Sequence, residues 1–366
     1  MKYYVIAGEA SGDLHGSNLI KEIFKNDPKA EIRAWGGDKM QNAGAKVVKH
    51  FKDLAFMGFY EVFINLNTIL NNISFCKKDI KFFNPDKIIF IDYPGFNLRI
   101  AKWAKKENFN TIYYIAPQLW AWDEKRIKLI KKCIDSLYVI LPFEKEFFEK
   151  KHHYPVKFLG HPLIDSISNF KNSSGKKDEI IELNKPIIAI LPGSREQEIK
   201  KILKTIIKVI PDYPNYQFVI AGAPNIKINF YEKIIGDTNI TIVKNKTYEL
   251  LSISTAAIVT SGTATLETAL FKVPQIVCYN SSLISYLIAK LLVKIKYISL
   301  VNLIMDQEIV KELIQHNCNK NSISFELNKI LDSTNRKKLL LNYDKLISIL
   351  GKSGTSKRIA LDIVKI

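Results

Sequence analysis

The chain opens with two carboxylates where an α/β protein usually offers a phosphate cradle. In "IAGEASGDLHGSNL", residues 6–19, a strand runs into a glycine-bearing turn and then a helix, and the turn carries Glu9, Ser11 and Asp13. Gly8, Gly12 and Gly16 are spaced by four, not in the G-x-G-x-x-G pattern that lets a backbone approach a pyrophosphate. Two acids here would also repel such an anion. Glu9, Ser11 and Asp13 suit sugar hydroxyls instead, as hydrogen-bond acceptors or, for the acids, as a base. Asp13 has a second reading, as a cap of the following helix, where the dipole favours an anion.

A third acid stands at the end of another apolar run. "FIDYPGFN", residues 90–97, carries Asp92 just before a Pro-Gly turn. Ligands of open parallel sheets bind beyond the carboxyl ends of the strands, so Asp92 is the first candidate for a general base. Its alternative role is to stabilise its own turn. "IAPQLWAWDEKR", residues 115–126, adds Gln118, Trp120 and Trp122 after a further strand. Indoles there serve either to stack on sugar rings and acyl chains or to pack the core.

The second half supplies the anion sites that the first lacks. "IAILPGSREQEIKK", residues 188–201, is a strand, a turn and a helix start, with Gly193, Ser194 and Arg195 at the turn. Exposed N–H groups and an arginine can hold a diphosphate and neutralise charge on a leaving group without a metal. "IVTSGTATLETALF", residues 258–271, repeats the pattern with Ser261, Gly262, Thr263 and Thr265. Glu267 follows one turn into that helix, placed either for the two hydroxyls of a ribose or simply as surface charge. Two such turns in one half point to one bound nucleotide diphosphate. Acids in one half and anion turns in the other describe glycosyl transfer from a nucleotide sugar.

The elements that must position these residues alternate between short β-branched or aromatic runs and longer helix-period segments, the mark of βα units on parallel sheets. Strands are expected at 3–7, 32–35, 87–92, 111–115, 136–141 and 156–159, then at 186–191, 217–221, 240–243, 256–260 and 275–279. The polar stretch 165–183 separates the two series. The expected organisation is α/β, with two Rossmann-like domains at 1–164 and 165–350 facing each other across a cleft. A last helix in 351–366 either crosses back to the first domain or docks on the partner of a homodimer.

Length and composition agree with two folded domains. The 366 residues are 47% hydrophobic, and the opening "MKYYVIAGEASGD" has too short an apolar run for a signal peptide, which places the protein in the cytoplasm. Four cysteines, at 76, 133, 278 and 318, form no C-x-x-C pair, and the six histidines lack metal-ligand spacing. No metal site is expected. The net charge of +18 suits an anionic membrane surface better than nucleic acid, because only six of the 54 basic residues are arginine. Compositional bias toward lysine is the alternative. Two apolar tracts, 54–75 and 283–305, serve either as core or as lipid-facing surface; lysines at 290, 294 and 296 rule out a transmembrane span in the second.

Nine collinear motifs resemble the bacterial lipid-A-disaccharide synthases. They are "AGEASGD" (7–13), "LAFMGFYEV" (54–62), "IDYPGFN" (91–97), "LWAW" (119–122), "LPFEKEF" (141–147), "GHPLID" (160–165), "LPGSR" (191–195), "SGTATLE" (261–267) and "VNLI" (301–304). The resemblance implies a GT-B glycosyltransferase joining UDP-2,3-diacylglucosamine to 2,3-diacylglucosamine 1-phosphate, with inversion at the anomeric carbon and release of UDP. It implies no metal and no cofactor, the UDP-sugar being a substrate, and a peripheral position on the cytoplasmic face of the inner membrane. By motif, it assigns functional weight to Glu9, Asp92, Arg195 and Asn302. Several relatives carry Asp at the position of Gly95, which leaves Asp92 as the one carboxylate in its turn here. UDP-N-acetylglucosamine 2-epimerases share the two-lobed architecture and are the nearest rival.

Overall fold

The computed structural model describes residues 1–53, 66–121, 123–173, 185–281 and 295–366. Trp122, the tract 54–65, most of the polar stretch at 174–184, and 282–294 with Lys290 and Lys294 lie outside the described residues. The chain forms two compact units, Met1–Asp165 with Gly351–Ile366, and Ser166–Leu350.

The first unit has strands β1 (Lys2–Ala7), β2 (Glu31–Gly36), β3 (Lys46–His50), β4 (Lys87–Ile91), β5 (Asn110–Tyr114), β6 (Ser136–Val139) and β7 (Lys157–Phe158). They form one parallel sheet in the order β3-β2-β1-β4-β5-β6-β7. Its helices are α1 (Ala10–Asn26), α2 (Asp38–Asn42), α3 (Leu66–Phe83), α4 (Pro94–Lys106), α5 (Ile127–Cys133), α6 (Pro142–Glu146) and α7 (Pro162–Ser173), the last running into the second unit. Both faces of the sheet are covered, so its central strands β1 and β4 are largely apolar. Tyr4, Ile6, Ile88 and Phe90 pack on one side, and Tyr3, Val5, Ala7, Ile89 and Ile91 on the other, following the two-residue alternation of a strand.

The second unit repeats the plan with β8 (Ile187–Leu191), β9 (Gln217–Gly222), β10 (Thr241–Lys244), β11 (Ser254–Thr260), β12 (Gln275–Tyr279) and β13 (Lys311–Ile314) in the order β10-β9-β8-β11-β12-β13, all parallel. Helices α8 (Glu196–Ile206), α9 (Ile228–Ile235), α10 (Thr247–Ile253), α11 (Thr263–Leu270), α12 (Leu300–Met305), α13 (Lys320–Leu331) and α14 (Ser333–Leu350) belong to it. The helix α15 (Thr355–Lys365) packs Ile359, Ala360 and Ile363 into the first unit's core beside Leu19, Ile20 and Ile23 of α1. Asp165 caps it, accepting from the amides of Gly354 (2.6 Å), Thr355 (3.1 Å) and Ser356 (2.7 Å). Lys87 donates to the carbonyl of Ile363 near its other end.

Each sheet reverses direction at one point, between β1 and β4 in the first and between β8 and β11 in the second. Loops that leave adjacent strands at such a switch point part from each other and open a crevice at the carboxyl edge. Glu9 and Asp92 follow β1 and β4; Gly193 to Arg195 and Ser261 to Thr263 follow β8 and β11. The topology thus brings Glu9 and Asp92 to the crevice of the first unit, and Gly193 to Arg195 and Ser261 to Thr263 to that of the second. The four cysteines are all free and buried.

Candidate active site

Asp92 and Tyr93 both adopt left-handed backbone, with φ of 45° and 50°. Neither is glycine, so each conformation costs about 1–3 kcal/mol and persists only where the surroundings hold it. Asn97, on the first turns of α4, donates to the Asp92 carbonyl at 2.7 Å, and the Tyr113 hydroxyl donates to the same oxygen at 2.6 Å. Both clamps come from fully buried side chains. Ile115, a β-branched residue at the end of the neighbouring strand, is also left-handed, with φ of 63°.

The half-buried carboxyl of Asp92 is held up to about 6, first by burial and then by the charge of Glu9, with the Tyr93 amide opposing. Glu9 occupies the N-cap position of α1 with extended backbone, and its side chain makes no capping bond. It is half-buried beside Asp92 and Tyr93, and its charge raises both. A carboxylate that binds a proton more readily than usual suits a base that must take one from a hydroxyl. Gly95 is exposed, and nothing lies within 4 Å of the place a Cβ would take, so the loop has room for a side chain there.

Asp13 is engaged within the fold. Its side chain is 3% exposed, and its two oxygens accept from the amides of Gly37 (2.7 Å), Met40 (3.0 Å) and Lys39 (3.1 Å). It caps α2, a helix other than the one that carries it. Ser11 and Gln118 are exposed. Trp120 is half-buried, its ring edge-on to Phe143 at 4.8 Å, and its indole N–H donates to Glu144 at 3.1 Å. Glu144 escaped the sequence reading because a glutamate in "LPFEKEF" looks like surface charge. It is 1% exposed and accepts also from the amides of Ile140 (3.1 Å) and Leu141 (2.9 Å). Burial pushes its carboxyl up to about 7, against those three donors, and the charge of Asp92 adds to the rise.

In the second unit Gly193 and Gly262 take φ of +97° and +135°, turns that a side chain would strain. They open the starts of α8 and α11. Arg195 is the N-cap residue of α8; its side chain is 69% exposed and pairs with Glu198 at 3.1 Å, one turn on. Ser194 is exposed, and its carbonyl accepts from Asn225 at 3.1 Å. Gly262 and Thr263 are exposed at the start of α11. Ser261 donates to the carbonyl of Ile298 at 2.8 Å.

Two candidate contacts turn inward. Thr265 is fully buried, and its hydroxyl donates to the carbonyl of Gly262 at 2.8 Å, stiffening the turn and leaving no hydroxyl for a phosphate. Asn302 is also fully buried. Its amide nitrogen donates to the Val310 carbonyl and the Glu312 carboxylate, both at 2.8 Å, and its oxygen accepts from Ile309 (2.7 Å) and Val310 (2.9 Å). Glu312 in turn accepts from the amides of Ile298 and Ser299, both at 2.9 Å. Asn302 is thus linked through Glu312 and residue 298 to the loop that bears Ser261. Glu267 is half-buried, accepts from the Tyr248 hydroxyl at 2.9 Å, and is raised by burial. Tyr248, braced by Phe170 and Phe271, was not foreseen.

Among the described residues no group of His, Cys, Asp and Glu is arranged to hold a metal ion, and no helix is long and apolar enough to cross a membrane.

Solved structures share this fold across the chain. The UDP-GlcNAc 2-epimerase of Neisseria meningitidis, bound to UDP-GlcNAc, superposes with a TM-score of 0.73 at 15% identity over all of both chains. A glycotransferase of kitacinnamycin gives 0.66 at 10% identity over 100% of this chain and 98% of its own. The two parallel-sheet α/β units thus have the GT-B fold. Sequence then narrows the class. The family model for lipid-A-disaccharide synthetase matches residues 3–361, and the chain belongs to that family of disaccharide-forming glycosyltransferases. Lipid-A-disaccharide synthase 1 of Legionella pneumophila is 37% identical over 346 residues, 92% of this chain and 90% of the relative. The Geobacter metallireducens synthase is 34% identical over 364 residues, 97% and 94% of the two chains.

Proposed function

We propose that this glycosyltransferase condenses UDP-2,3-diacylglucosamine with 2,3-diacylglucosamine 1-phosphate, yielding the β(1→6) disaccharide 1-phosphate and UDP. Family membership supports the substrates. The observation that carries the mechanism is the clamped, left-handed Asp92 at the switch point of the first sheet, with its carboxyl raised to about 6. In this reading Asp92 receives the proton of the acceptor's 6-hydroxyl as that oxygen attacks C1 from the face opposite UDP. The C1–O bond to the diphosphate breaks, and the anomeric carbon inverts. Glu9 contributes negative charge beside the base and, with Ser11 and Gln118, hydrogen bonds to the acceptor.

The leaving diphosphate is received by Arg195, Gly193, Ser194 and the amides that begin α8 and α11, with Ser261, Gly262 and Thr263 lining the second turn. Partial positive charge at helix starts and one mobile guanidinium supply what a metal would otherwise provide. Glu267, presented with Tyr248, takes the ribose hydroxyls. The acyl chains require access to a membrane, and the apolar Phe75 and Phe82, two turns apart on α3, support a peripheral position on an anionic surface; Phe82 is 83% exposed.

The test is incubation of radiolabelled monosaccharide 1-phosphate with and without the UDP-linked diacyl donor, in chelator, scored for labelled disaccharide. Donor-dependent disaccharide is expected, and Asp92→Asn should cut turnover by about a hundredfold or more while UDP still binds. Disaccharide formation by Asp92→Asn at the normal rate would remove Asp92 as the base. A need for added metal would remove the metal-free account of the leaving group.

A further inference from the structure

The turn that opens α8 holds an acid as well as an arginine. Glu198 is the third residue after the N-cap residue Arg195, and side chains at that place lean back toward the start of a helix. Its carboxylate reaches the turn itself. Oε1 accepts from the Arg195 guanidinium at 3.1 Å, and Oε2 lies 3.6 Å from the place a Cβ of Gly193 would take, with the methyl of Thr260, at the end of β11, 3.4 Å from the same point. The ion pair therefore stands at the crevice between β8 and β11. The Glu198 side chain is 19% exposed against 69% for Arg195, so the acid is the more enclosed of the two. Among the described residues its one ion pair is with Arg195, and Lys201, the next cation on that side of α8, donates to the carbonyl of Ser281 at 2.7 Å. The helix dipole accounts for an acid in the first turn, as at the exposed Glu196. It does not account for a carboxylate set beside the glycine of an anion turn and bonded to that turn's own arginine.

We propose that Glu198 is a positioning residue that competes with the diphosphate for Arg195: it holds the guanidinium beside Gly193 until the nucleotide takes it, and takes it back as UDP leaves. This rests on the reading of Arg195 as a ligand of the diphosphate. Carboxylate and phosphate offer a guanidinium the same pair of acceptors, so one replaces the other without a change of geometry at the arginine. Their charges repel, so each weakens the other's hold on the shared cation. The contest falls harder on the product than on the donor. The β-phosphate of a UDP-sugar is esterified, whereas that of UDP is free and carries one negative charge more. An anion resident at the turn thus favours exchange of UDP for fresh donor. An ion pair with one exposed partner is weak, so the effect on binding is severalfold and not orders of magnitude.

The experiment is calorimetric titration of the full chain with UDP and with uridine, for wild type, Glu198→Gln, Arg195→Ala and the double variant. Glu198→Gln should bind UDP about threefold more tightly than wild type and bind uridine, which lacks the diphosphate, equally well. A turn damaged by the substitution would bind UDP less tightly, so a gain separates competition from a merely structural role. In the Arg195→Ala background nothing is left to compete for, and the gain from Glu198→Gln should shrink to less than half. Inhibition of turnover by UDP should deepen in Glu198→Gln by the same factor as its affinity. Affinity of Glu198→Gln for UDP at or below that of wild type overturns the inference. A gain of equal size in the Arg195→Ala background, or for uridine, overturns it too. The two failures are distinguishable. Normal UDP binding by Arg195→Ala defeats the assignment of Arg195 and this inference with it, whereas a weakened Arg195→Ala with an unmoved Glu198→Gln defeats Glu198 alone.

Discussion

The side-chain amide of Asn97 donates to the main-chain carbonyl of Asp92 at 2.7 Å, and the same nitrogen lies 3.3 Å from the carbonyl of Ile91 and 3.4 Å from that of Ile6. One buried amide thus ties the ends of β1 and β4 together at the switch point and holds Asp92 in its left-handed conformation. Replacing it with alanine leaves the Tyr113 hydroxyl as the one side-chain donor to the Asp92 carbonyl among the described residues and removes the link to β1, at a cost of about 1–3 kcal/mol. Asn97→Ala should lose several degrees in melting temperature, and its kcat should fall by tenfold or so beyond what instability explains. Turnover per folded molecule equal to wild type would show that Asp92 keeps its geometry without the clamp.

Stability at Asp92 should run against activity. Its carboxyl is raised in the folded protein from 3.8 to about 6, so the stability tied to its protonated form is present below 3.8 and lost as pH rises through 6. Asp92→Asn cannot ionise and escapes that loss. The variant should therefore melt at the same temperature as wild type near pH 4 and at a higher one at pH 8, the gap opening between pH 4 and 6. Thermal denaturation across this range checks it, and a variant that is less stable at pH 8 than wild type would contradict it.

Much of the frame could be read from the residues, because strands buried on both faces are nearly continuous runs of Ile, Val, Tyr and Ala. The strands missed were β3, "KVVKH", and β13, "KELI", both at sheet edges. Their lysines discourage pairing with a further strand and break the apolar run that identifies the others. In the site, the loops were legible and the side-chain directions were not. Thr265 and Asn302 lie in suitable motifs but point inward, and Glu144 is enclosed among aromatic residues that give no hint of its burial. Asp13 had two readings, and a cap was the right kind, although the helix it caps comes 25 residues later in the chain. No local pattern distinguishes a carboxylate that caps its own helix from one that caps another.

The route from Asn302 to Ser261 makes a prediction that a direct nucleotide contact would not. Asn302→Ala removes donors and acceptors from a closed set of partners and leaves Glu312 with one bond fewer. The loop bearing Ser261 then loses the fixed carbonyl of Ile298. Both donor KM and the dissociation constant for UDP should rise about tenfold, together with a fall in melting temperature. Glu312→Gln, which does not touch the nucleotide in this arrangement, should reproduce the same pair of effects at smaller size. If Glu312→Gln bound UDP normally while Asn302→Ala did not, Asn302 would have to act on the ligand directly.

Acid should loosen the first unit through two buried histidines. His15 on α1 and His161 before α7 are 7% and 2% exposed, and burial lowers them from 6.5 to about 4 and about 3. The unfolded chain takes up two protons as pH falls below 6.5, while the folded chain resists until about 4, so stability declines across that window. Each histidine contributes up to about 1.4 kcal/mol per pH unit once its unfolded form is fully charged. Asp92 and Glu144 oppose the trend, since their raised carboxyls gain stability on acidification. A single melting curve therefore mixes both signs, and the difference between variants isolates one. His15→Gln should show a smaller loss of melting temperature between pH 6.5 and 4.5 than wild type. His15 lies near Asp165, the cap of α15, and α1 is the helix on which α15 packs. Amide hydrogen exchange should accordingly rise first in residues 355–365 on acidification of wild type, and less in His15→Gln. Equal acid slopes in the two proteins would mean that His15 is not a source of the loss.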